Sequence, residues 1–190
     1  ETEHEFLHGN GLPDRFADGF SIAELGFGTG LNLAVTARAW AGRKGRLHYT
    51  SFERFPLTAE DTAKALQHFP DLAEPAEDIC SALRAGEHAF TVPGGIEVTL
   101  IHGDARQTVP AWSGMADAWF LDGFSPAKNP ELWEPGLMQS VFDHTNPGGT
   151  AATYSAAGAV KSGLREAGFM VTRTGGYGRK RHMTCACKPG

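Results

Sequence analysis

The chain has 190 residues, 41% of them hydrophobic and 21% charged, with a formal net charge of −5; that is material for one globular domain with a real core, spanning residues 1–190, and argues against a second. No run of about 18 apolar residues is present, and the first residues, Glu1-Thr2-Glu3-His4, lack the basic start and apolar stretch of a signal peptide, so the expectation is a soluble, cytoplasmic protein with no membrane partner. The three cysteines are odd in number, and Cys185-Ala186-Cys187 has the wrong spacing for a CxxC zinc or redox pair, so no metal site is expected.

Apolar runs rich in Val, Ile, Leu and Phe alternate with segments of helical period, the pattern of a parallel sheet wrapped by helices. In chain order the sequence predicts a strand over Phe20 to Leu25, a helix over Gly30 to Ala41, a strand over Leu47 to Phe52, a helix over Thr58 to His68, and a strand over Val98 to His102. A helix over Ala105 to Trp112, a strand over Ala116 to Leu121, a helix over Glu131 to His144, a strand over Thr150 to Tyr154 and a helix over Ala159 to Ala167 follow. Pro93-Gly94-Gly95 suggests a turn joining Ala89 to Val92 with the strand after it. The last strands, Phe169 to Arg173 and His182 to Ala186, are separated by a stretch too short for a crossover helix, so they form an antiparallel hairpin. The predicted fold class is therefore α/β: a Rossmann-like, doubly wound, mostly parallel sheet with a C-terminal antiparallel hairpin, the class I methyltransferase layout. Nucleotide-binding dehydrogenase domains usually lack that hairpin.

Glu24-Leu25-Gly26-Phe27-Gly28-Thr29-Gly30 sits where a buried strand meets a helix, so Gly26, Gly28 and Gly30 let the backbone approach a ligand at the carboxyl edge of the sheet. An acid two residues before the first glycine can hold the ammonium of a methionine moiety and would sit poorly beside a phosphate; the alternative for Glu24 is an exposed strand-end acid. Glu53 falls 23 residues after Gly30, close to the ~20 expected of an acid that accepts both ribose hydroxyls, a spacing that fits NAD and S-adenosylmethionine equally. Asp104, followed by Ala105, ends another strand, where it is placed either to read an adenine amine or, with Gln107, to form a capping box.

Ala118 to Leu121 is a buried strand that ends in Asp122 and breaks into Gly123-Phe124-Ser125-Pro126, at the switch-point crevice of a doubly wound sheet. Amine methyltransferases commonly set an Asp or Asn with a Pro and an aromatic at this place, and Asp122 with Phe124 or Pro126 has those components in another order; a strand-end Asp capping its own loop is the plainer alternative. Phe27, Phe124 and Trp133 are candidates for an apolar wall that excludes water. Tyr154-Ser155 closes a strand at the same edge, as a substrate wall or simply a terminus, and Lys128-Asn129 offers a phosphate contact or a solvated turn. From Ala159 to Gly190 seven Lys or Arg face one acid, Glu166, a net of +6 that leaves −11 for the rest. This is either a solubilised hairpin or a basic end for a polyanion, with Arg179, Lys180, Arg181, Lys161 and Arg165 as phosphate contacts and Tyr177 as a ring for a splayed base.

Several stretches resemble a known family: Phe6 to Phe16 (FLHGNGLPDRF), Glu24 to Asn32, Ser51 to Leu57 (SFERFPL), Asp117 to Trp133 (DAWFLDGFSPAKNPELW), Thr153 to Gly158 and Gly176 to Met183 (GYGRKRHM). These are similar to the methyltransferase family that completes 5-methylaminomethyl-2-thiouridine in bacterial tRNA, found as the amino-terminal half of the bifunctional MnmC proteins and as stand-alone MnmD. The resemblance implies S-adenosyl-L-methionine as cofactor, held by Glu24, the loop glycines, Glu53 and Asp104, and it implies that Asp122 faces the aminomethyl group of the wobble uridine in the tRNA anticodon loop. It also implies that Asn10 lies near the cofactor and that residues precede Glu1. No second glycine-rich strand-helix unit follows, so a flavin-dependent oxidase is expected only as a separate partner or as a fused domain of a longer parent chain. Asp71 to Val92 matches no word of the family. Three rivals stand beside this reading: an NAD(P)-linked oxidoreductase, a tRNA-binding module without turnover, and an aminopropyltransferase of the same fold.

Overall fold

The computed structural model describes residues 2–123, 129–175 and 182–190. Among them, eight strands form one sheet: β1 (Phe20–Leu25), β2 (Leu47–Glu53), β3 (Ala89–Val92), β4 (Ile96–His102), β5 (Ala116–Leu121), β6 (Thr145–Thr153), β7 (Met170–Gly175) and β8 (His182–Cys187). Their order is β3-β4-β2-β1-β5-β6-β8-β7. The central five strands pair in parallel, while β3 runs against β4 and β8 runs against both β6 and β7. This is the predicted doubly wound sheet with its closing hairpin. The order reverses between β1 and β5, where a crevice opens at the carboxyl ends of the strands.

Among the described residues six α-helices cover the faces. Residues of α1 (Leu31–Trp40), α2 (Ala59–Leu66) and α3 (Ala73–Arg84) join one buried cluster, and residues of α4 (Ala105–Ala111), α5 (Pro135–Asp143) and α6 (Gly158–Ala167) join the other. β1 divides its side chains by strand alternation, with Ile22 in the first cluster and Ala23 and Leu25 in the second. The long Glu131 to His144 helix is a correction. Pro130–Trp133 makes a separate 3-10 turn, and α5 starts at Pro135, whose ring suits a first helical position and removes an interior donor. β6 begins at Thr145, not Thr150, because Ala116 pairs with Thr145 before the register shifts and Ala118 pairs with Thr150.

The unassigned stretch holds α3, preceded by a 3-10 turn at Pro70–Leu72, and β3, which folds onto β4 through Pro93-Gly94-Gly95. Gly94 and Gly95 both have positive φ, 94° and 84°, which a side chain would resist there. Among the described residues no helix is long and apolar enough to cross a membrane, and no group of three or more His, Cys, Asp or Glu is placed to hold a metal ion.

Candidate functional site

Parallel register brings the site together. Leu25 pairs with Phe52 on one side and Leu121 on the other, so Gly26, Glu53 and Asp122 emerge next to one another at the same edge of the sheet; Glu53 itself pairs with His102, which puts Gly103-Asp104 beside it. A cavity of about 520 Å³ opens there, lined by Gly26, Phe27, Gly28, Glu53, Asp104, Ala105, Asp122 and Tyr154 among others. Its size falls in the ~300–1,000 Å³ range of small-molecule sites. The backbone turns under it through Gly26, Gly28 and Gly30 at φ of 89°, 51° and 72°. A Cβ on Gly30 would stand 3.0 Å from the Phe27 ring, so the loop is closed tightly over its own aromatic residue.

Glu53 braces this loop from below: one carboxylate oxygen accepts from the Gly28 amide at 3.1 Å and the other from the Phe55 amide at 2.7 Å. Asp104 caps α4 through the Arg106 amide at 3.0 Å, and its oxygens also accept from the Arg106 guanidinium, at 3.0 and 2.6 Å, and pair with Arg54 at 3.2 Å. Those Arg106 bonds, with Arg54 beside them, pull the Asp104 carboxyl down to about 2. The cap therefore uses Arg106 rather than Gln107, and an adenine amine reaching Asp104 must share oxygens already engaged with two arginines.

Glu24 lies deeper than a direct ligand contact requires. It is fully buried and does not line the cavity. Asn32, in the first turn of α1, stands between it and the open space: its side-chain amide donates to Glu24 Oε1 and to Asp122 Oδ2, both at 2.8 Å. Ser51 Oγ donates to the other Glu24 oxygen at 2.7 Å. Burial pushes the Glu24 carboxyl up to about 8, the Ser51 and Asn32 hydrogen bonds oppose that shift, and the neighbouring Asp122 charge adds to it. The buried Tyr49 hydroxyl lies close enough to feel Glu24, without a well-directed hydrogen bond, and burial raises its pKa as well. Glu24, Asn32 and Asp122 thus form one linked unit, and a cation seated at the cavity floor is what would relieve its crowded negative charge.

Asn10 is placed elsewhere. Its amide donates to the carbonyls of Phe6 at 2.8 Å and Trp119 at 3.2 Å, and its oxygen accepts from Thr150 at 2.7 Å. With Arg15, which donates to the Asn10 carbonyl and to Thr150, it fastens the amino-terminal turn to β5 and β6 instead of facing the cavity. Tyr154 does face it, and its hydroxyl donates to the Gly123 carbonyl at 2.9 Å, holding the loop after β5. Ser155 is buried, with its carbonyl accepting from Thr184. Leu132 lines the cavity beside Phe27, whereas Trp133 packs against the core on the α5 face. Lys188 is tied to the Phe142 carbonyl and ring, while Arg165 and Arg173 are exposed. Phe124, Lys128, Tyr177, Arg179, Lys180 and Arg181 lie outside the described residues.

Asn32 and Ser51 were not singled out by sequence reasoning. Asn32 had a signal: a polar amide in the first turn after the glycine loop, one helical turn from the strand ends. Ser51 had only its pairing with Glu24, which needs the register of β1 against β2.

Comparison with known proteins agrees with this geometry. A family described as S-adenosyl-L-methionine-dependent methyltransferase matches residues 68–189. The chain is 44% identical over 199 residues to the tRNA 5-methylaminomethyl-2-thiouridine biosynthesis bifunctional protein MnmC of Caulobacter vibrioides, covering 100% of this chain and 34% of that protein. The protein of the same description from Chromobacterium violaceum is 43% identical over 198 residues, covering 97% and 30%. The chain thus spans about a third of the length of the curated relatives it matches. Among solved structures, MNMC2 from Aquifex aeolicus superposes with a TM-score of 0.80 at 29% identity, covering 100% of this chain and 62% of that one. S-adenosylmethionine-bound CalS10, an amino pentose methyltransferase from Micromonospora echinaspora, shares the fold at a TM-score of 0.53 and 14% identity.

Proposed function

The chain belongs to the family of S-adenosyl-L-methionine-dependent methyltransferases, and from that premise we propose that it methylates the primary amine of a 5-aminomethyl group on the modified wobble uridine of tRNA, giving 5-methylaminomethyl-(2-thio)uridine. The observation that carries this reading is Asp122: it stands at the switch point, on the wall of the cofactor cavity, with one oxygen held by Asn32 at 2.8 Å. The named relatives supply the substrate. Family membership removes the nicotinamide-linked alternative.

The cavity residues fit S-adenosyl-L-methionine. The glycine loop and Asn32 would hold the methionine end, Glu53 the ribose and Asp104-Ala105 the base. When bound, the cofactor supplies an electrophilic methyl on a sulfonium sulfur, which keeps the bond pair as the methyl leaves. The acceptor arrives as an alkylammonium with an ordinary pKa of about 10.4, so exposing its lone pair at neutral pH costs roughly 4–5 kcal/mol. Asp122 offsets part of this by binding the cation, orienting it and receiving the proton directly or through water. Asn32 fixes the carboxylate in place, and Phe27 with Leu132 keeps the wall apolar, which favours a step that disperses charge.

Residues 1–190 act as one methyltransferase domain in this reading. A tRNA substrate places the reaction in the cytoplasm, and the basic carboxyl-terminal segment, with Arg179, Lys180 and Arg181, contacts anticodon-loop phosphates. The relatives' bifunctional description fits an oxidase domain or partner acting on the same nucleoside. The test is to incubate the protein with labelled cofactor and tRNA lacking the terminal methyl, then digest and identify the labelled nucleoside. Label is expected in the wobble uridine, and Asp122→Asn is expected to slow transfer by about 10²–10⁴-fold with little change in S-adenosylhomocysteine affinity. Unlabelled tRNA, or a fully active Asp122→Asn protein, would overturn the proposal.

A further inference from the structure

Three buried side-chain polar atoms have no hydrogen-bond partner among the described residues: Tyr49 Oη, Thr62 Oγ1 and Trp119 Nε1. Such an atom costs stability, since it gives up water on folding and gains no partner in return. A phenylalanine at position 49 would fill the same space without that cost. The Tyr49 hydroxyl therefore needs a reason outside the ligand-free state.

The strand register supplies its setting. Ile22 pairs with Tyr49 and Glu24 with Ser51, so Tyr49, Ser51 and Glu24 project from one face of the sheet, with Tyr49 diagonal to Glu24 on the neighbouring strand. The Tyr49 ring is fully buried and meets Phe120, the strand neighbour of Glu24 on its other side, edge to face at a centroid distance of 6.2 Å. Trp119, by contrast, packs in the cluster on the opposite face. Tyr49 does not line the cofactor cavity. Its influence falls on Glu24: burial raises that carboxyl, and the Tyr49 hydroxyl acts against the rise together with Ser51 and Asn32. Burial, with Glu24 beside it, also keeps the phenol protonated, so it always has a hydrogen to donate.

We propose that Tyr49 is a positioning residue for the cofactor: when the ammonium of the methionine end is seated at the cavity floor, the Tyr49 hydroxyl donates to the Glu24 carboxylate and supports the buried charge that faces the cation. The inference rests on the methyltransferase reading above and concerns what lies behind the site rather than its wall. In the ligand-free protein Asn32 donates to one Glu24 oxygen and Ser51 to the other, at 2.8 and 2.7 Å. A carboxylate has about four acceptor positions, so once Glu24 releases its proton to solvent two stay open, and Tyr49 is the buried donor beside them. Asn32 separates Glu24 from the cavity, so ammonium and carboxylate attract one another across buried protein. An ionised group there is costly unless its remaining acceptor positions are filled.

The test is calorimetric titration of wild type and Tyr49→Phe with three ligands: S-adenosylhomocysteine, its decarboxylated form, which keeps the ammonium, and 5′-methylthioadenosine, which has neither amino nor carboxyl group. Tyr49→Phe is expected to bind the first two about 10–100-fold more weakly, the size of one hydrogen bond to a charged group, and to bind 5′-methylthioadenosine as wild type does. In turnover, KM for the cofactor should rise by a similar factor while kcat falls much less. In a Glu24→Gln background the same substitution should change affinity by less than about twofold, because the charge it serves is gone. Ligand-free Tyr49→Phe should melt no lower than wild type. Equal weakening for all three ligands, unchanged affinity for S-adenosylhomocysteine, or a lower melting temperature without ligand would each overturn the assignment, the last because it would show the hydroxyl to be partnered already. Wild-type protein that binds none of the three would overturn the cofactor reading as well, an outcome distinct from wild-type binding that Tyr49→Phe leaves untouched.

Discussion

Glu24→Gln should make the ligand-free protein more stable, by an amount set by pH. The Glu24 carboxyl ionises at about 8 in the folded chain against 4.5 as the reference value, chiefly because it is buried, and the adjacent Asp122 charge adds to the shift. The folded state therefore holds a proton that the unfolded state has released throughout that window, so stability falls as pH rises from about 4.5 to about 8 and levels off above. Integrated to pH 7, the loss is about 3 kcal/mol, shrinking to about 1 kcal/mol at pH 5. A neutral amide of the same shape keeps an oxygen for Asn32 or Ser51 and has no proton to release. Thermal unfolding at low salt should show Glu24→Gln melting about 6–12 °C above wild type near neutral pH, taking roughly 2–4 °C per kcal/mol for a domain of this size, with the gap closing toward pH 5. The same variant should bind S-adenosylhomocysteine more weakly, because a bound ammonium would draw Glu24 into its ionised form, an interaction that the amide cannot make. A gap of equal size at pH 5 and pH 8 would refute the reasoning, since it would show that no proton is linked to folding at this position.

Glu53→Ala removes the brace on Gly28 and, on the proposed reading, the ribose acceptor; calorimetric titration should show S-adenosylhomocysteine affinity falling about 10–100-fold, and a change below twofold would disprove the ribose role. Asn32→Leu deprives Glu24 and Asp122 of their shared donor, so urea unfolding at pH 7 should report a loss of about 2–4 kcal/mol, with transfer slowed more than cofactor binding is weakened. Asn10→Ala breaks three hydrogen bonds, two of them buried, and should cost about 2–4 kcal/mol in the same assay while leaving cofactor affinity intact. Lost affinity with unchanged stability would restore Asn10 as a ligand.

The parts of this molecule legible in its sequence are those written in local pattern. The glycine loop, the alternation of strands and helices and the short hairpin connection predict the sheet and the edge on which Glu53, Asp104 and Asp122 converge. α3 carried such a pattern too: Ala76, Ile79, Cys80 and Leu83 recur at helical spacing, but no family word marked the segment. What stayed hidden depends on partners far along the chain. Asn10 bonds to Trp119, 109 residues away, and to Thr150, 140 away, so its role as a clamp has no local signature. The depth of Glu24 depends on Asn32 and Ser51 closing over it, and the second arginine on Asp104, whose oxygens Arg106 already holds, is Arg54 arriving from the loop after β2.

The converging acids explain the sign of the ligand. A glycine turn leading into a helix amino terminus ordinarily favours anions, because unpaired amides and the helix dipole point at the ligand. Here Glu24 on β1, Glu53 on β2, Asp104 after β4 and Asp122 after β5 stand at or beside the carboxyl ends of four adjacent parallel strands, and Glu53 accepts the Gly28 amide of that very turn. The loop amide that could have faced a phosphate is thus spent on a carboxylate, and the crevice becomes negative. Such a site would disfavour a dinucleotide pyrophosphate and suits a sulfonium donor and the ammonium acceptor proposed above. The chemistry of the fold is therefore decided less by the glycine loop, which many nucleotide-binding proteins share, than by the four acids around it. Reversing one of them, as with Glu53→Lys, should abolish cofactor binding outright, whereas the same reversal at Asp143, exposed at the end of α5 and not part of the cavity lining, should leave it unchanged.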